Sequence, residues 1–279
     1  MTASGPHVDV SENVLYLPLD ASLRPPLKWA GGKRWLLPEL APLWKPFANR
    51  RMVEPFCGAL SATLALVPRS ALLNDSNPHV INFYSCLKSG LSLTLWMENE
   101  RELFYVHRKR FNELLATGSA ATPEAAGLFY YLNRTCYNGL CRFNRSGEFN
   151  VPFGRHKTIN YIRDFTSYQR LFEKWQFTST DFEQVPLEPG DFVYADPPFD
   201  VPFTQYSKEG FSWEDQVRAA EWLAKHEGPV VLSNEATERI VVLYEKLGFK
   251  LRFLDAPRRI SCKGERKPAK EVLAVRNLS

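Results

Sequence analysis

The tetrapeptide Asp196-Pro197-Pro198-Phe199 has the residue types needed to hold and orient an amino group. Its two prolines fix φ and remove two backbone donors, so the loop is stiff and its carbonyls are free acceptors. The Asp196 carboxylate and the Pro197 carbonyl can each accept one N–H of an exocyclic amino group and direct its lone pair at an electrophile. Phe199 offers a ring on which an unstacked base can lie. The same residues also fit an acidic cap and turn after a strand, so the tetrapeptide alone leaves both interpretations open.

A second set of residues has the order typical of nucleotide-type ligand sites. A short hydrophobic run leads into Glu54-Pro55-Phe56-Cys57-Gly58, and a second run, residues 71–74, stops at Asp75. In doubly wound sheets this strand–loop–helix–strand–acid order holds such ligands, and the acidic residue grips ribose hydroxyls. The loop lacks the G-x-G-x-x-G pattern, and Asp75 also fits a helix cap or turn. Each signal is therefore weak when taken alone.

The hydrophobic pattern predicts the elements that would position these residues. Strands are expected at 52–58, 71–75, 191–195, 229–233 and 271–275, and helices at 34–43, 61–66, 213–225 and 237–247. Between the two groups, residues 78–111 and 125–132 have a helical pattern, and residues 133–157, rich in Gly, Asn and Arg, are expected to form a hairpin and loop.

The predicted fold is therefore α/β: a Rossmann-like sheet interrupted by a mostly helical insertion that contains a β-hairpin. The predicted boundaries place residues 1–77 in the first part of the sheet domain, with an N-terminal arm to about residue 25. Residues 78–165 form the insertion, and residues 166–279 form the second part of the sheet domain.

The composition excludes several classes of protein. With 279 residues, 44% hydrophobic and 24% charged, the chain can form one large domain or a core plus an insertion. No apolar run approaches the roughly eighteen residues of a membrane helix, and the start of the chain lacks the basic flank of a signal peptide, so we expect a cytoplasmic protein. The net charge of +4 neither requires nor excludes nucleic acid. The five cysteines form no C-x-x-C pair, so we expect reduced thiols and no metal site.

Several motifs in one fixed order resemble a known family. They are residues 28–33 (KWAGGK), 53–56 (VEPF), 74–75 (ND), the run from Tyr131 to Arg155, and residues 196–199 (DPPF). This set resembles the Dam-type (class D12, α-group) N6-adenine DNA methyltransferases over roughly residues 26–275, and the block from Asn138 to Arg155 is highly specific. Residues 190–194 and 209–212 are similar to the branch found in restriction–modification systems.

The resemblance implies a fold and a reaction. The fold would be a Rossmann-like methyltransferase sheet that binds S-adenosylmethionine (AdoMet), with residues 78–165 as an inserted target-recognition domain. The enzyme would flip an adenine out of duplex DNA, with GATC as the favoured site, and transfer the methyl group directly and in line to N6. The implied partners are double-stranded DNA and a companion restriction endonuclease, and a monomer is usual in this family.

The resemblance also implies roles for individual residues. The implied catalytic residues are Asp196, Pro197, Pro198 and Phe199, and AdoMet would be bound by Trp29, Lys33, Glu54, Pro55, Phe56, Gly58, Asp75 and Asp196. Lys28 matches a base contact, Tyr137 a wedge beside the flipped adenine, and Arg142 a residue that reads guanine with its two-pronged guanidinium. Arg134 and Asn144 match phosphate-side positions, and Asn138 and Arg155 lie in the same DNA-binding block.

Two positions depart from the family pattern. The motif usually ends in tyrosine, whereas this chain has Phe199, which keeps the stacking surface but loses the hydroxyl. His156 stands where a tyrosine is common. Neither departure changes the expected reaction, but both leave the target sequence less defined.

The sequence leaves two other functions open. A related methyltransferase can act on RNA or on a protein amide, although the arginine-rich residues 133–157 favour DNA. A non-catalytic DNA-binding protein would keep the hairpin but has no need of Asp196 and Lys33. A basic stretch at 258–270 is expected either to be a solvated loop or to contact phosphates.

Overall fold

The computed structural model describes residues 23–29, 31–200, 210–256 and 269–278. Its strands are β1 (Met52–Glu54), β2 (Ala71–Asn74), β3 (Trp175–Thr178), β4 (Phe192–Ala195), β5 (Val230–Glu235), β6 (Lys250–Ala256) and β7 (Ala269–Arg276). Its helices are α1 (Leu37–Trp44), α2 (Thr63–Leu66), α3 (Pro78–Lys88), α4 (Arg101–Ala116), α5 (Pro123–Thr135), α6 (Thr166–Phe172), α7 (Trp213–Ala224) and α8 (Glu238–Lys246).

The strands form one seven-stranded sheet in the order β3-β2-β1-β4-β5-β7-β6. The neighbours from β3 to β5 are parallel, and β7 runs antiparallel between β5 and β6. Because the carboxyl ends of parallel strands meet at one edge, the loops after β1, β2 and β4 are neighbours there. This arrangement confirms the predicted Rossmann-like α/β fold.

Side chains of the central strands alternate between two cores. Met52 and Phe192 belong to a core that includes α1, α3, α4 and α5, whereas Val53 and Val193 belong to a core with α7 and α8. Strands covered on both faces are apolar at nearly every position, which explains why their sequences read as continuous hydrophobic runs. The sheet is therefore a buried, rigid support for the loops at its edge.

Two of the predicted elements differ from the observed ones. The helical pattern of residues 78–111 is two helices, because α3 ends at Lys88, shortly before Gly90 with its φ of +85°, and residues 89–100 lie outside any helix. The predicted hairpin within residues 133–157 has no regular strands: α5 continues to Thr135, and the rest is a loop closed by two isolated bridges, Cys136 to Phe153 and Phe143 to Phe149. We call residues 136–157 the arginine-rich loop. Each bridge is a single pair of residues, so the loop does not form a β-ladder.

Helices α3, α4 and α5 extend the core on one face of the sheet rather than enclosing a separate one. Phe83 of α3, Phe111 of α4 and Phe129 of α5 are fully buried in the same hydrophobic cluster as the strands. The predicted domain boundaries at residues 77 and 165 stay predictions. In the described ranges no helix has both the length and the apolar character to cross a bilayer.

Candidate active site

The loop after β1 and the acid after β2 are held together at the carboxyl edge of the sheet. The Cys57 amide donates to the Asn74 carbonyl at 2.8 Å, and the Gly58 amide donates to Asp75 Oδ2 at 3.0 Å. Asp75 Oδ1 accepts from the Asn77 amide at 2.9 Å, directly before α3. Burial raises the pKa of Asp75, and these two amide donors oppose the rise. The predicted cofactor acid thus has a fixed orientation.

Gly58 is required at its position for two reasons. Its φ is +45°, a left-handed conformation that other residues rarely adopt, and an added Cβ would lie 2.8 Å from Trp29 Nε1. The indole of Trp29 therefore lies directly against the backbone of Gly58. The buried Tyr84 hydroxyl also donates to the Gly58 carbonyl at 2.9 Å. Three predicted cofactor residues, Trp29, Gly58 and Asp75, form one contiguous group.

Phe56 belongs to an aromatic cluster that the sequence analysis did not identify. Its ring centroid lies 5.4 Å from that of Phe182, which follows β3, and 5.5 Å from that of Phe211, which precedes α7. Pro55 is fixed beside it because Asn74 Nδ2 donates to the Pro55 carbonyl at 3.0 Å. Three aromatic rings thus come from separate segments of the chain, which is why no local motif revealed the cluster.

Asp196 lies in a charged group with Lys33 and Glu271. Lys33 Nζ is 3.3 Å from Asp196 Oδ1 and 3.4 Å from Glu271 Oε2, and it lies 3.9 Å above the centre of the Phe199 ring. Lys33 is 4% exposed, so its charge is compensated locally by two carboxylates. Glu271, on β7, was missed by the sequence analysis because only the antiparallel insertion of β7 brings it to this edge.

Burial raises the pKa of Asp196, whereas Lys33 and the hydroxyl of Ser233 lower it. Burial is also the first cause of the raised pKa of Glu271, which Lys33 opposes and the charge of Asp196 reinforces. An acid with a raised pKa at the end of a parallel strand, paired with a buried lysine, is typical of a functional site.

Glu54, at the end of β1, is completely buried, and burial raises its pKa to about 8. Its carboxyl group is hydrogen-bonded to the hydroxyl of Thr63 at the start of α2. At neutral pH Glu54 is therefore mainly protonated. A neutral side chain suits a position so close to the charge of Asp196, which further raises the pKa of Glu54.

We expect Glu54→Gln to stabilise the protein increasingly as pH rises. Between pH 4.5 and about 8 the unfolded chain ionises at this position while the folded protein keeps the proton, so rising pH costs the wild type stability over this window. Glutamine removes this cost, which reaches about 5 kcal/mol at the upper end of the window. Thermal melts across this pH range measure the difference. Glu221→Gln, at an exposed position of α7, is the control, and a pH-independent difference would contradict the assignment.

Three buried polar side chains hold the Asp196–Phe199 tetrapeptide, and we call Ser233, Asn234 and Gln216 the polar cradle. Ser233 Oγ donates to Asp196 Oδ1 at 2.7 Å, and Gln216 Nε2 donates to the Pro198 carbonyl at 2.7 Å. Asn234 Nδ2 donates to Gln216 Oε1 at 2.9 Å, and Asn234 Oδ1 accepts from the Asp200 amide at 3.1 Å. The sequence analysis missed all three because they lie far from the tetrapeptide in the chain, with Pro198 and Gln216 18 residues apart and Asp196 and Ser233 37 residues apart.

Lys28 ties the segment before α1 to the end of α5 and, through His156, to the arginine-rich loop. The Lys28 amide donates to Asn133 Oδ1 at 2.7 Å, and Asn133 Nδ2 donates back to the Lys28 carbonyl at 2.9 Å. Lys28 Nζ donates to the Arg134 carbonyl at 2.7 Å and lies 3.3 Å from His156 Nε2. Burial, and then the charge of Arg134, lowers the pKa of Lys28. Inside the loop, His156 Nε2 lies 3.0 Å from the Cys136 carbonyl.

The outer part of the loop presents side chains to solvent. Tyr137 is 52% exposed, and Arg142 is exposed with its Nε donating to Asn150 Oδ1 at 2.8 Å. Asn144 is occupied within the loop, since its Oδ1 accepts the amides of Ser146 and Glu148 at 3.0 and 2.9 Å. Tyr137 and Arg142 therefore have the exposure that a DNA contact needs, whereas Asn144 mainly shapes the turn.

The remaining predicted DNA-binding residues lie in the same region. Arg134, at the end of α5, donates from Nη2 to the Asn160 carbonyl at 2.7 Å. Asn138 and Arg155 are exposed and have positive φ values of 54° and 49°. The basic stretch at 258–270 falls outside the described residues except for Lys270.

The candidate site is defined here by the contacts among its described residues. Two surface cavities are lined by residues distant from it, Lys45, Pro46, Ala48, Asn49 and Arg69 in one and Gly90, Leu91, Ser92, Arg163, Asp164, Phe165, Thr166 and Gln169 in the other. Within the described ranges, no group of three or more His, Cys, Asp or Glu side chains is arranged to hold a metal ion.

The sheet order, the acids after β2 and β4, and the Asp196–Phe199 tetrapeptide together define a Rossmann-like methyltransferase. Residues 29–259 match the model of the D12 class N6 adenine-specific DNA methyltransferases. Because this match covers most of the chain, the protein belongs to that family, which confirms the resemblance inferred from the motifs.

Individual relatives match over nearly their whole length. The chain is 34% identical to a retron DNA adenine methylase of Escherichia coli, covering 89% of this chain and 90% of the relative. It is 34% identical to a DNA adenine methylase of Vibrio cholerae, over 89% of this chain and 94% of the relative. It is also 33% identical to a type II methyltransferase of Lactococcus lactis subsp. cremoris, over 80% and 85% of the two chains.

Proposed function

We propose that this protein transfers a methyl group from AdoMet to N6 of an adenine that it flips out of a specific duplex DNA sequence, with GATC as the favoured site. The observation that carries the proposal is Asp196 at the end of β4, fixed through Oδ1 by Lys33 and Ser233. The proposal extends to a monomer as the active form. A companion endonuclease is part of the proposal because one relative is named a type II methyltransferase.

The residues at the carboxyl edge fit AdoMet. The Trp29 indole packs so closely on Gly58 that an added Cβ would clash with it, and Asp75 lies within hydrogen-bond distance of the Gly58 amide. Asp75 would hold ribose hydroxyls, and the aromatic group around Phe56 offers a surface for a flat ring. When bound, AdoMet supplies an electrophilic methyl group on a positively charged sulfur.

The tetrapeptide would hold and orient the target amino group. The adenine amino group is a weak nucleophile because its lone pair is delocalised into the ring. The Asp196 carboxylate and the Pro197 carbonyl would each accept one of its N–H bonds and hold the nitrogen pyramidal, with the lone pair directed out of the ring plane. Phe199 would stack on the extruded base. Lys33 lies over one face of the Phe199 ring, so the base would stack on the opposite face.

The arginine-rich loop would select the sequence. Arg142 has the exposure to reach the major groove, and its Nε bond to Asn150 fixes the plane of the guanidinium. A fixed guanidinium can bond guanine O6 and N7 together, which is the commonest specific contact. Tyr137, exposed at the start of the loop, would fill the space that the flipped adenine leaves.

We expect Arg142→Ala to relax sequence selection at one base pair, at a cost of about 1–3 kcal/mol for the preferred sequence. The variant keeps the fold because the Arg142 side chain is exposed. The measurement is the rate of methylation of duplexes substituted one base pair at a time. Arg101→Ala, at an exposed position of α4, is the control, and an unchanged preference in Arg142→Ala would contradict the assignment.

Mapping of methylated adenines tests the function as a whole. DNA from cells that express the chain is sequenced for N6-methyladenine, and purified protein is assayed with tritiated AdoMet on duplex DNA, RNA and protein. Methylation confined to adenine in GATC supports the proposed reaction and target sequence. Methylation of adenine in a different sequence would correct the target from GATC to that sequence. Methylation of RNA or protein alone would contradict a DNA substrate. DNA binding without methyl transfer would identify a catalytically silent DNA-binding protein.

A further inference from the structure

We propose that the polar cradle decides which oxygens of the Asp196–Phe199 tetrapeptide receive the target amino group, with Ser233 and Gln216 as positioning residues. This inference rests on the proposed function and adds residues that lie outside the tetrapeptide. Ser233 donates to Asp196 Oδ1 and Gln216 to the Pro198 carbonyl, both at 2.7 Å. Ser233 therefore occupies one carboxylate oxygen of Asp196 and leaves Oδ2, and Gln216 occupies the Pro198 carbonyl and leaves that of Pro197.

The two carboxylate oxygens of Asp196 and the carbonyls of Pro197 and Pro198 divide into two pairs. Asp196 Oδ1 is occupied by Ser233 and lies 3.3 Å from Lys33 Nζ, and the Pro198 carbonyl is occupied by Gln216. Among the described residues, no hydrogen bond reaches Asp196 Oδ2 or the Pro197 carbonyl. One amino group has two N–H bonds, and these two remaining oxygens match that number.

The cradle is built for rigidity rather than for contact with solvent. Ser233, Asn234 and Gln216 are 1%, 0% and 2% exposed. Asn234 links the two positioning residues: it follows Ser233 on β5 and donates to Gln216 Oε1. Its second hydrogen-bond partner on the same nitrogen is the Tyr244 hydroxyl, at 3.1 Å. Buried polar groups that are fully bonded specify one arrangement, because any other leaves a donor unsatisfied.

Several ionisable groups of the described residues face Asp196. Lys33 lies before α1, Glu54 ends β1, Glu271 is on β7, and the phenols of Tyr194 and Tyr244 come from β4 and α8. Of the neighbouring side chains, only Ser233 and Lys33 lower the pKa of Asp196 through a hydrogen bond. Loss of the Ser233 hydroxyl should therefore raise the pKa of Asp196, whereas loss of the Glu271 charge should not.

The test compares Ser233→Ala, Gln216→Met and Glu271→Gln with the wild-type full chain. The pKa of Asp196 is measured without AdoMet or DNA, by 13C NMR titration of selectively labelled aspartate carboxyls, and kcat and KM are measured against pH. Ser233→Ala should raise the pKa of Asp196, and with it the acidic limb of kcat, by about one pH unit. Gln216→Met should lower kcat about tenfold with KM for DNA and the acidic limb unchanged.

Glu271→Gln should not raise the pKa of Asp196, which separates loss of one hydrogen bond from general disturbance of the charged group. Ser167→Ala, at an exposed position of α6, is the matched control. An unshifted Asp196 in Ser233→Ala, or an equal rise in Glu271→Gln, overturns the inference and leaves the proposed function standing. A shifted Asp196 with no movement of the acidic limb overturns the role of Asp196 in transfer, and the inference with it.

Discussion

Asp196→Ala should abolish methyl transfer, with kcat reduced about a thousandfold or more, while the protein stays folded. The substitution removes the carboxylate that would hold the amino group, and no other side chain of the tetrapeptide can accept a hydrogen bond. The fold should persist because Lys33 Nζ still lies 3.4 Å from Glu271 Oε2, so the buried charge of Lys33 remains paired. Incorporation of tritiated methyl into duplex DNA measures the effect.

Two comparisons make this result interpretable. Circular dichroism and thermal melting show whether Asp196→Ala is folded, and Asp255→Ala on β6, an exposed acid, controls for loss of a negative charge. Turnover by Asp196→Ala within tenfold of the wild type would eliminate the proposed chemistry.

Asp75→Ala should weaken AdoMet binding about a hundredfold, equivalent to about 2.8 kcal/mol. The substitution removes the acid that would hold the ribose, and it also frees the Gly58 amide, which Asp75 Oδ2 accepts at 3.0 Å. Calorimetric titration of the protein with AdoMet in the absence of DNA measures the dissociation constant.

Asp75→Asn removes the charge and keeps one oxygen, which can accept from the Gly58 or the Asn77 amide but not from both. An intermediate loss of affinity in Asp75→Asn fits a direct contact with ribose. Ser76→Ala changes the exposed neighbouring residue and should bind AdoMet like the wild type. An unchanged affinity in Asp75→Ala would remove this acid from the cofactor site.

The sequence predicts those parts of the fold in which pattern and burial agree. The central strands were recognisable because both faces are covered, as at Val193 and Val231. β3 was missed because only Trp175 of its four residues is fully buried, and β6 was missed because its side chains at the sheet edge are mostly exposed. Hydrophobic periodicity cannot report a strand whose place depends on backbone pairing alone.

The residues of the candidate site were likewise predictable only where local sequence places them. Asp196 and Asp75 were identifiable because each directly ends a hydrophobic strand. Ser233, Gln216 and Glu271 were not, because their contacts depend on the order of β4, β5 and β7 in the sheet and not on nearby sequence. Glu271 also lies in a strand that reads as ordinary core, with Val272 and Leu273 directly after it.

The late position of β7 in the chain affects how the enzyme is made. During synthesis every other strand leaves the ribosome before β7, yet β7 pairs between β5 and β6 and carries Glu271 to Lys33. A nascent chain that has not reached residue 271 therefore holds a buried lysine with one carboxylate and a sheet with an unfilled gap. Fragments from translation that stops before β7 should therefore not methylate DNA. Methylation should begin only with protein molecules in which the sheet is complete.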